Sequence, residues 1–418
     1  MPIIRVIDTA QSTSEPYSAA VSLEFTTTLV LAAGVSITAT GAGAVGISSE
    51  VSFDPDHSLL IYGSVHSEQG PAVVVSGTIT VGASGSITGA QDGVYLYGAN
   101  NPGQAHVLNN AGTISGGSYG VRLESFQSHV LNSGSIKGNF GIVASGSDEG
   151  LVIDNTGLIE GTKFAAINGA SKGSSIIKNQ GQIRGDVVLG SGDDVYDGRG
   201  GTIKGVVVLN AGSDIAWGGS ETEVFETGWG TKFIDGGNGI DTLSYRQAAK
   251  VDLRITEQQK TGQQSWETIR NIENLSGSDG DDKFTGSEGG NVLDGGAGND
   301  RLDGDLGQDQ LLGGEGKDIF SFSTKLKNNI DVVFDFRSTD DTIHLSKVIF
   351  SKIAKGALKK NALFFGSKAK DETDRIGFNK KTGDLVYDAD GSGTKYAAVK
   401  FAQLEPMSVV KANDFWIV

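Results

Sequence analysis

Apolar residues return at two different spacings along this chain, and each spacing predicts its own β-structure. Up to about residue 230, short apolar segments return after steps of roughly 20 to 24 residues, a period typical of stacked coils. Over residues 277–321 an apolar side chain stands at every ninth place, as at Phe284 and Leu293. Alternation of apolar and polar residues over short stretches favours strands over helices. The pattern therefore predicts an all-β solenoid with two kinds of coil.

The slower repeat is clearest in copies of the pattern N-x-G-x-I-x-G. These copies begin at Asn110, Asn132, Asn155 and Asn179. Two further apolar segments lie between successive copies, so each period holds three short strands, the pattern of a parallel β-helix. A right-handed winding is expected for parallel strands joined in this way. We also expect the asparagines to stack at one corner, with their amides hydrogen-bonded from coil to coil.

The faster repeat is a nonapeptide with glycine in its first place and an apolar residue in its eighth. Its sixth place holds an acid or an amide, at Asp282, Asn291, Asp300, Asp309 and Asp318. The unit GGAGNDRLD at 295–303 has the full form G-G-x-G-x-D-x-U-x, where U is apolar, and GGNGIDTLS at 236–244 is an upstream copy. A glycine-rich acidic linker is the alternative. A linker has no reason to keep an apolar residue in phase with the acid.

Calcium accounts for this combination of glycines and acids. Glycine permits a tight turn, and the exposed carbonyls join a carboxylate in the oxygen shell that Ca²⁺ prefers. Two units form one coil, so equivalent residues stack about 4.8 Å apart. Carboxylates stacked at that distance repel each other unless cations lie between them. We expect calcium on both sides of Asp300, towards Asp282 and Asp318, and a weaker site between Asn291 and Asp309.

The residues predicted to form the calcium turns fall into two groups. The upstream copy contributes Gly236, Gly237, Gly239 and Asp241. The main block contributes Gly277, Gly280, Asp282, Gly286, Asn291, Gly295, Gly296, Gly298, Asp300, Gly304, Gly307, Asp309, Gly313, Gly314, Gly316 and Asp318. In both groups the glycines shape the turn and the acids supply negative charge.

This block resembles the RTX (repeats-in-toxin, haemolysin-type calcium-binding) family of secreted bacterial proteins. The resemblance implies several bound Ca²⁺ ions and export by a type I secretion (ABC exporter) apparatus. The chain ends in DFWIV, an acid followed by apolar residues, which is similar to the uncleaved export signal of such proteins. A secreted protein, extracellular or associated with the cell surface, is therefore expected.

The predicted fold is all-β, a right-handed parallel β-helix continuing into a calcium-binding parallel β-roll, with a small C-terminal β domain. The expected parts are an N-terminal cap or arm at 1–26, the β-helix at 27–230, the RTX roll at 231–322 with an insertion at 245–272, and the C-terminal domain with the secretion signal at 323–418. The insertion is expected to form a small hairpin or an irregular loop, and residues 376–402 a β-meander.

Degenerate nonapeptides precede the main block, beginning at residues 209, 218, 227 and 236. Lys232 takes a sixth place in this series and is expected to face Asp214 one coil earlier. An ion pair should then replace calcium at that point. Asp340 and Asp341 are expected to stabilise an acidic turn between two strands, with contact to an ion as the alternative.

Composition limits the partners and the kinds of site that the chain can have. The 418-residue chain has a formal net charge of −16, which makes nucleic acid an unfavourable partner. It contains no cysteine, which excludes disulfides, thiolate metal sites and a cysteine nucleophile. No apolar run reaches the length of a membrane span, and the N-terminus has no cleavable signal pattern.

Three functions remain open for the β-helix. The first is an adhesin or extracellular-matrix binding module that recognises a polysaccharide or a cell surface. The second is a polysaccharide-modifying enzyme, similar to mannuronan epimerases or lyases, for which Asp54, Asp56 and His57 are the weak catalytic candidates. A turn between strands is the simpler interpretation of that segment. The third is a purely structural matrix component that self-associates with calcium.

Overall fold

The computed structural model describes residues 3–23, 27–49, 57–98, 105–124, 127–145, 150–327 and 329–418. The chain divides into two compact units, Met1–Gly239 and Ile240–Val418, called unit 1 and unit 2. Strands dominate both units, and the described residues contain no α-helix. The described residues also form no helix with the length and hydrophobicity that crossing a membrane requires. The protein is all-β, with long parallel sheets, as predicted.

Unit 1 is a stack of coils whose strands form three parallel sheets. Sheet 1 contains Ile3–Ile7, Thr27–Leu31, His57–Ile61, Gly77–Val81, His106–Asn110, Ser128–Asn132, Leu151–Asn155, Ser175–Asn179, Val195–Asp197, Gly212–Trp217 and Gly230–Asp235. Sheet 2 contains Gln11–Thr13, Ser36–Ala39, Ser64–Ser67, Ser86–Gly89, Thr113–Gly116, Ser135–Gly138, Leu158–Gly161, Gln182–Arg184 and Thr202–Lys204. Sheet 3 contains Ala19–Leu23, Val45–Ser49, Val73–Val75, Asp92–Tyr97, Tyr119–Glu124, Phe140–Ala144, Ile167–Asn168, Val187–Val188, Val206–Val208 and Val224–Thr227.

The core of unit 1 is built from equivalent apolar residues that stack from coil to coil. In sheet 2 the paired positions Ile87, Ile114, Ile136, Ile159 and Ile183 are all buried. Parallel strands covered on their inner face bury β-branched side chains well, since each one packs on the equivalent residue of the next coil. The slow repeat seen in the sequence therefore corresponds to one coil of the stack.

The N-terminal segment forms the first coil of this stack. Its three strands pair in parallel with the second coil in the same register as later coils, for example Ile7 with Leu31 and Val21 with Ile47. We expected residues 1–26 to form a cap or arm that precedes the coils. The described part of that segment buries Ile7, Val21 and Leu23 instead, so apolar burial brings it into the solenoid.

The asparagine corner is present as predicted. Asn110 Nδ2 donates to Asn132 Oδ1 at 2.8 Å, and Asn132 Nδ2 donates to Asn155 Oδ1 at 2.7 Å. Asn155 continues the series by donating to Asn179 Oδ1 at 2.8 Å. All four side chains are buried, and each bond satisfies a polar group that would otherwise be costly to desolvate.

The coil shortens near the end of unit 1. The last strand of sheet 2 is Thr202–Lys204, after which successive coils contain only a strand of sheet 1 and a strand of sheet 3. Gly212 pairs with Gly230 and Val206 with Val224, so the 18-residue coil spacing is present along the degenerate nonapeptides that begin at 209, upstream of residue 231, where the calcium roll was expected to begin. Each of these coils has two strands where the earlier coils have three, so sheet 2 ends at Lys204.

The described residues of unit 2 form two sheets with mostly parallel strands and, in the segment before the main repeats, a short antiparallel hairpin. The first sheet contains Thr242–Tyr245, Asn274–Ser276, Val292–Asp294, Gln310–Leu312, Asp331–Val333, Val399–Leu404, Asp384–Tyr387, Ile376–Phe378 and Leu363–Phe365. The second contains Lys250–Asp252, Lys283–Thr285, Arg301–Asp303, Ile319–Phe322, Thr342–Leu345, Phe415–Ile417 and Gly356–Ala357. Gln259–Lys260 and Ser265–Arg270 form the hairpin, within the segment 245–272 where an insertion was expected. Lys360–Ala362 and Ala412–Asp414 are short 3₁₀ turns.

The predicted boundary at 322/323 interrupts neither sheet. Asp331–Val333 pairs with Gln310–Leu312, and Thr342–Leu345 pairs with Ile319–Phe322, both in parallel. The C-terminal meander is present, but its strand Val399–Leu404 pairs in parallel with Asp331–Val333. The roll therefore extends beyond residue 322, because the next residues offer strands and buried side chains that continue both sheets.

Candidate functional site

The acids in the sixth places of the nonapeptides form a hydrogen-bonded column in unit 2. Asp282 N donates to Asp300 Oδ1 at 2.7 Å, and Asp300 N donates to Asp318 Oδ1 at 3.0 Å. Each of these pairs is 18 residues apart, as expected for two units per coil. The column ends with Asp341, whose Oδ1 accepts from Asp318 N at 3.1 Å. A turn was the favoured interpretation of Asp341 and contact with an ion the alternative, and the structure adds this residue to the column as a fourth carboxylate.

A second column runs along the other edge of the roll. Asn291 N donates to Asp309 Oδ1 at 2.8 Å, and Asp309 N donates to Asp331 Oδ1 at 3.2 Å. Asp331 was absent from the predicted site, because it follows Asp309 by 22 residues and breaks the period. Asn291 presents an N–H where an acid would present an oxygen, since its Nδ2 donates to Glu273 O at 2.6 Å.

The first-place glycines leave room for the second oxygen of these carboxylates. A Cβ on Gly295, Gly304 or Gly313 would overlap Oδ2 of the acid in the same turn, namely Asp300, Asp309 and Asp318 respectively. The fourth-place glycines let successive turns approach each other. Gly298 and Gly316 have φ values of +125° and +138°, and a Cβ on Gly316 would overlap the carbonyl oxygen of Gly298. Only glycine fits at these places.

The buried oxygens of the columns fit a hard cation. Oδ2 of Asp300 and Oδ2 of Asp309 are buried and have no hydrogen-bond partner among the described residues. Burial, together with the neighbouring Asp282 and Asp318 carboxylates, raises the pKa of Asp300 to about 7. Within the described residues, no three His, Asp or Glu side chains converge on one point. A cation at these turns must therefore take most of its oxygens from the main chain, as Ca²⁺ readily does.

A lysine takes the place of such a cation in unit 1. Lys232 Nζ lies 2.8 Å from Asp214 Oδ2, and both side chains are fully buried. The same ammonium donates to the carbonyl oxygens of Gly212 and Trp229, each at 2.8 Å. The predicted ion pair is confirmed. Its three oxygen contacts outline the position that a metal would take between two turns.

Comparison with protein families identifies the roll. The model of the RTX calcium-binding nonapeptide repeat (4 copies) matches residues 276–311 and, in an overlapping match, residues 285–320. Residues 276–320 are RTX calcium-binding repeats. RTX repeats of this kind bind Ca²⁺, and the column residues from Asp282 to Asp318 lie within the matched segment, whereas Asp331 and Asp341 lie beyond it.

Other comparisons add little to the RTX assignment. Comparison with curated proteins gave no match. Among solved structures, the chain is similar to the extracellular lipase LipA from Serratia marcescens, with 17% identity and a TM-score of 0.16. The similarity covers 65% of this chain and 45% of the lipase chain, which is less than half of that protein. No activity follows from a similarity at this level.

The upstream nonapeptide at 236–244 lies outside the matched residues, with its first residues in unit 1 and its last in unit 2. Gly236, Gly237 and Gly239 belong to unit 1, where Gly237 has a φ of +93° and Gly239 a φ of +133°. Asp241 belongs to unit 2, is fully buried, and donates its N–H to Glu273 Oε2 at 2.8 Å. Its role as a calcium ligand stays a prediction.

Of the three catalytic candidates, the structure describes only His57, and it does not place that side chain on an outer face. His57 is the first residue of a strand in sheet 1, is only 3% exposed, and accepts the N–H of Thr27 through Nδ1 at 3.4 Å. Its ring is turned into the solenoid, which opposes the role proposed for it. Asp54 and Asp56 lie outside the described residues.

The outer face of sheet 3 carries a polar and aromatic surface that the sequence analysis missed. Tyr119, Phe140 and Phe164 form an aromatic ladder, with ring centroids 5.6 and 4.6 Å apart. Arg122 lies 4.7 Å above the ring of Tyr95, pairs with Glu124 and approaches Asp92 at 3.9 Å. Phe164 is 56% exposed and borders a cleft of about 440 Å³. The available signal was an aromatic residue at one equivalent place in three consecutive coils.

Proposed function

We propose that this protein is a secreted, calcium-dependent adhesin or matrix-binding module, in which unit 2 folds on calcium and unit 1 presents a glycan-binding face. The unpartnered buried oxygens of Asp300 and Asp309 carry the first half of the proposal. In this proposal the calcium ligands are the column acids and the turn glycines named above, with Asp331 and Asp341 added. The aromatic ladder and the charges beside it support the second half.

In this proposal the free energy of calcium binding adds directly to the stability of the folded state. Each site that binds only the folded chain stabilises it by about 2.7 kcal/mol when free calcium is 100 times its dissociation constant. Several such sites together match the whole stability of a typical domain, roughly 5–15 kcal/mol. Without calcium the columns hold buried, mutually repelling carboxylates, which oppose folding. Unit 2 would therefore be unfolded where calcium is scarce.

This behaviour suits export in an unfolded state. Proteins with RTX repeats are typically secreted. The terminal residues DFWIV, the proposed export signal, form the strand Phe415–Ile417 in the folded unit, where Phe415 and Ile417 are buried. Only an unfolded chain would present this segment to a type I exporter. Calcium outside the cell would then fold the chain and bury the signal.

The outer face of sheet 3 is suited to carbohydrate. Exposed aromatic rings bind the apolar faces of sugars, and Arg122, Glu124 and Lys163 offer charged hydrogen-bonding groups close by. The cleft beside Phe164 is also lined by Asn168 and Asp186, which add an amide and a carboxylate. This combination of stacking and polar groups favours an extracellular polysaccharide over a protein partner.

A glycan-binding screen of the full chain in saturating calcium tests this function. Phe164→Ala should weaken binding to the best ligand at least about tenfold, the equivalent of about 1.4 kcal/mol. Phe365→Ala is the matched control, since Phe365 is exposed to a similar degree, at 49%, but lies in unit 2. Absence of any glycan ligand, or equal losses in both variants, would contradict the glycan-binding role.

The Asp92, Tyr95, Arg122 and Glu124 cluster supports an enzyme as the second candidate. It brings acids, a guanidinium and a phenol together on adjacent coils, as a polysaccharide epimerase or lyase would require. Incubation with acidic polysaccharides should then give new reducing ends, unsaturated products or altered epimer content, and Arg122→Gln should abolish them. A purely structural matrix component would instead show calcium-dependent light scattering without glycan preference.

A further inference from the structure

The ammonium of Lys232 shows where a cation sits between two successive turns. Counted in nonapeptides that begin at 209 and 227, its contacts are a sixth-place carboxylate, a fourth-place carbonyl, and the third-place carbonyl of the next coil. These groups belong to Asp214, Gly212 and Trp229 respectively. Gly212 N also donates to Trp229 O at 3.2 Å, which holds the two turns together.

The turn one coil earlier, residues 189–194, has the same frame. Gly192 stands in its fourth place and Asp194 in its sixth. A Cβ on Gly212 would overlap the carbonyl oxygen of Gly192, just as a Cβ on Gly230 would overlap that of Gly212. The fourth-place carbonyls of the two turns therefore point towards the next coil in the same way.

Asp194 differs from Asp214 in having no counter-charge on its second oxygen. Ser175 N donates to Asp194 Oδ1 at 2.5 Å, and Asp194 N donates to Asp214 Oδ1 at 2.9 Å. Asp194 is 0% exposed, and its Oδ2 has no hydrogen-bond partner among the described residues. The buried group of Asp194, Asp214 and Lys232 thus contains two carboxylates and one ammonium.

An isolated buried carboxylate is costly, so a proton or a cation must neutralise it. The same arrangement occurs at Asp300 in the RTX repeats. There too Oδ1 accepts from the preceding coil, the N–H donates to the following acid, and Oδ2 has no partner within the described chain.

We propose that unit 1 holds a divalent cation site of the calcium type between the turns 189–194 and 209–214. Asp194 Oδ2 and the carbonyl oxygen of Gly192 are its ligands, and the frame set by Lys232 assigns the third-place carbonyl of Ala211 as another. This site lies outside residues 276–320, which match the RTX model. Asp214 would then lie between a bound cation on one side and the fixed ammonium of Lys232 on the other.

Two measurements on the full chain test the site. Bound calcium is counted by equilibrium dialysis and elemental analysis, and amide hydrogen exchange is followed with and without calcium. Asp194→Asn removes the charge but keeps an oxygen that can accept from Ser175 N. Asp193→Asn is the matched control, because Asp193 is the exposed neighbour whose Oδ1 accepts from Ser213 N at 2.8 Å.

We expect Asp194→Asn to bind one calcium ion fewer per chain than the wild type and the control. Calcium should slow exchange in peptides from 170–215 in the wild type and the control but not in Asp194→Asn. Peptides from 276–320 should be protected in all three proteins. An unchanged ion count, or persistent calcium protection of 170–215 in Asp194→Asn, would overturn the proposal in favour of a buried proton. If Asp194→Asn fails to fold, lack of calcium protection of 170–215 in the wild type would overturn it equally.

Discussion

Replacing Lys232 with methionine is the sharpest test of the idea that a buried positive charge is needed between successive turns. Methionine has nearly the same length and is apolar, so the variant removes the ammonium without opening a large cavity. Asp214 Oδ2 and the carbonyl oxygens of Gly212 and Trp229 each lose a partner at 2.8 Å. The Asp214 carboxylate must then stay charged without its partner, take up a proton, or bind a cation in place of the ammonium.

The expected cost is large because both side chains of the pair are fully buried. Removing one partner from a buried ion pair costs about 3–5 kcal/mol, since the other charge stays desolvated. That is a substantial part of a typical net stability of roughly 5–15 kcal/mol. The free energy of unfolding of unit 1 should therefore fall by several kcal/mol.

Urea unfolding in saturating calcium, followed by tryptophan fluorescence, measures this loss while the RTX repeats keep their ions. Trp217 and Trp229 flank the affected turns and report on them directly. Lys204→Met is the control, because Lys204 is exposed at the end of sheet 2. The double variant Lys232→Met/Asp214→Leu removes both charges and should recover much of the stability. A loss below about 1 kcal/mol in Lys232→Met, or one equal to that of the control, would refute the reasoning.

Three further outcomes are expected. Asp300→Ala should raise the calcium concentration at which half of the protein is folded by about tenfold or more, because Asp300 contacts both neighbouring coils. Asn291→Ala should raise it less, and equal calcium midpoints for the two variants in circular dichroism would contradict the stacking scheme. Chelation of calcium should remove most of the β-sheet signal of unit 2, and an unchanged spectrum would contradict calcium-coupled folding. Burial raises the pKa of Asp92 from 3.8 to about 6, so ionisation of this carboxyl opposes folding. The free energy of unfolding should therefore fall by up to about 3 kcal/mol as the pH rises from 4 to above 6. Asp92→Asn should abolish this part of the pH dependence of the melting temperature at saturating calcium, and a parallel profile for the wild type and the variant would contradict it.

Much of the molecule could be predicted from the sequence because a solenoid turns sequence spacing into spatial contact. Residues one period apart lie side by side, so the asparagine corner, the column of Asp282, Asp300 and Asp318, and the pair of Lys232 with Asp214 all follow from counting. No long-range folding information is needed where the period is regular. The chemistry of each contact then follows from the residue type at the repeated place.

Only the tertiary structure decided what happens where the period is broken. Asp331 and Asp341 join the columns at offsets of 22 and 23 residues, because the segments between them and their partners form longer loops. The last strand, Phe415–Ile417, pairs with residues about seventy places earlier, and burial of its apolar side chains selects that partner. His57 likewise faces inward because its strand continues the register of sheet 1. In these places the burial of apolar surface in the whole fold determines which strands pair, and the spacing of residues along the chain does not predict that pairing.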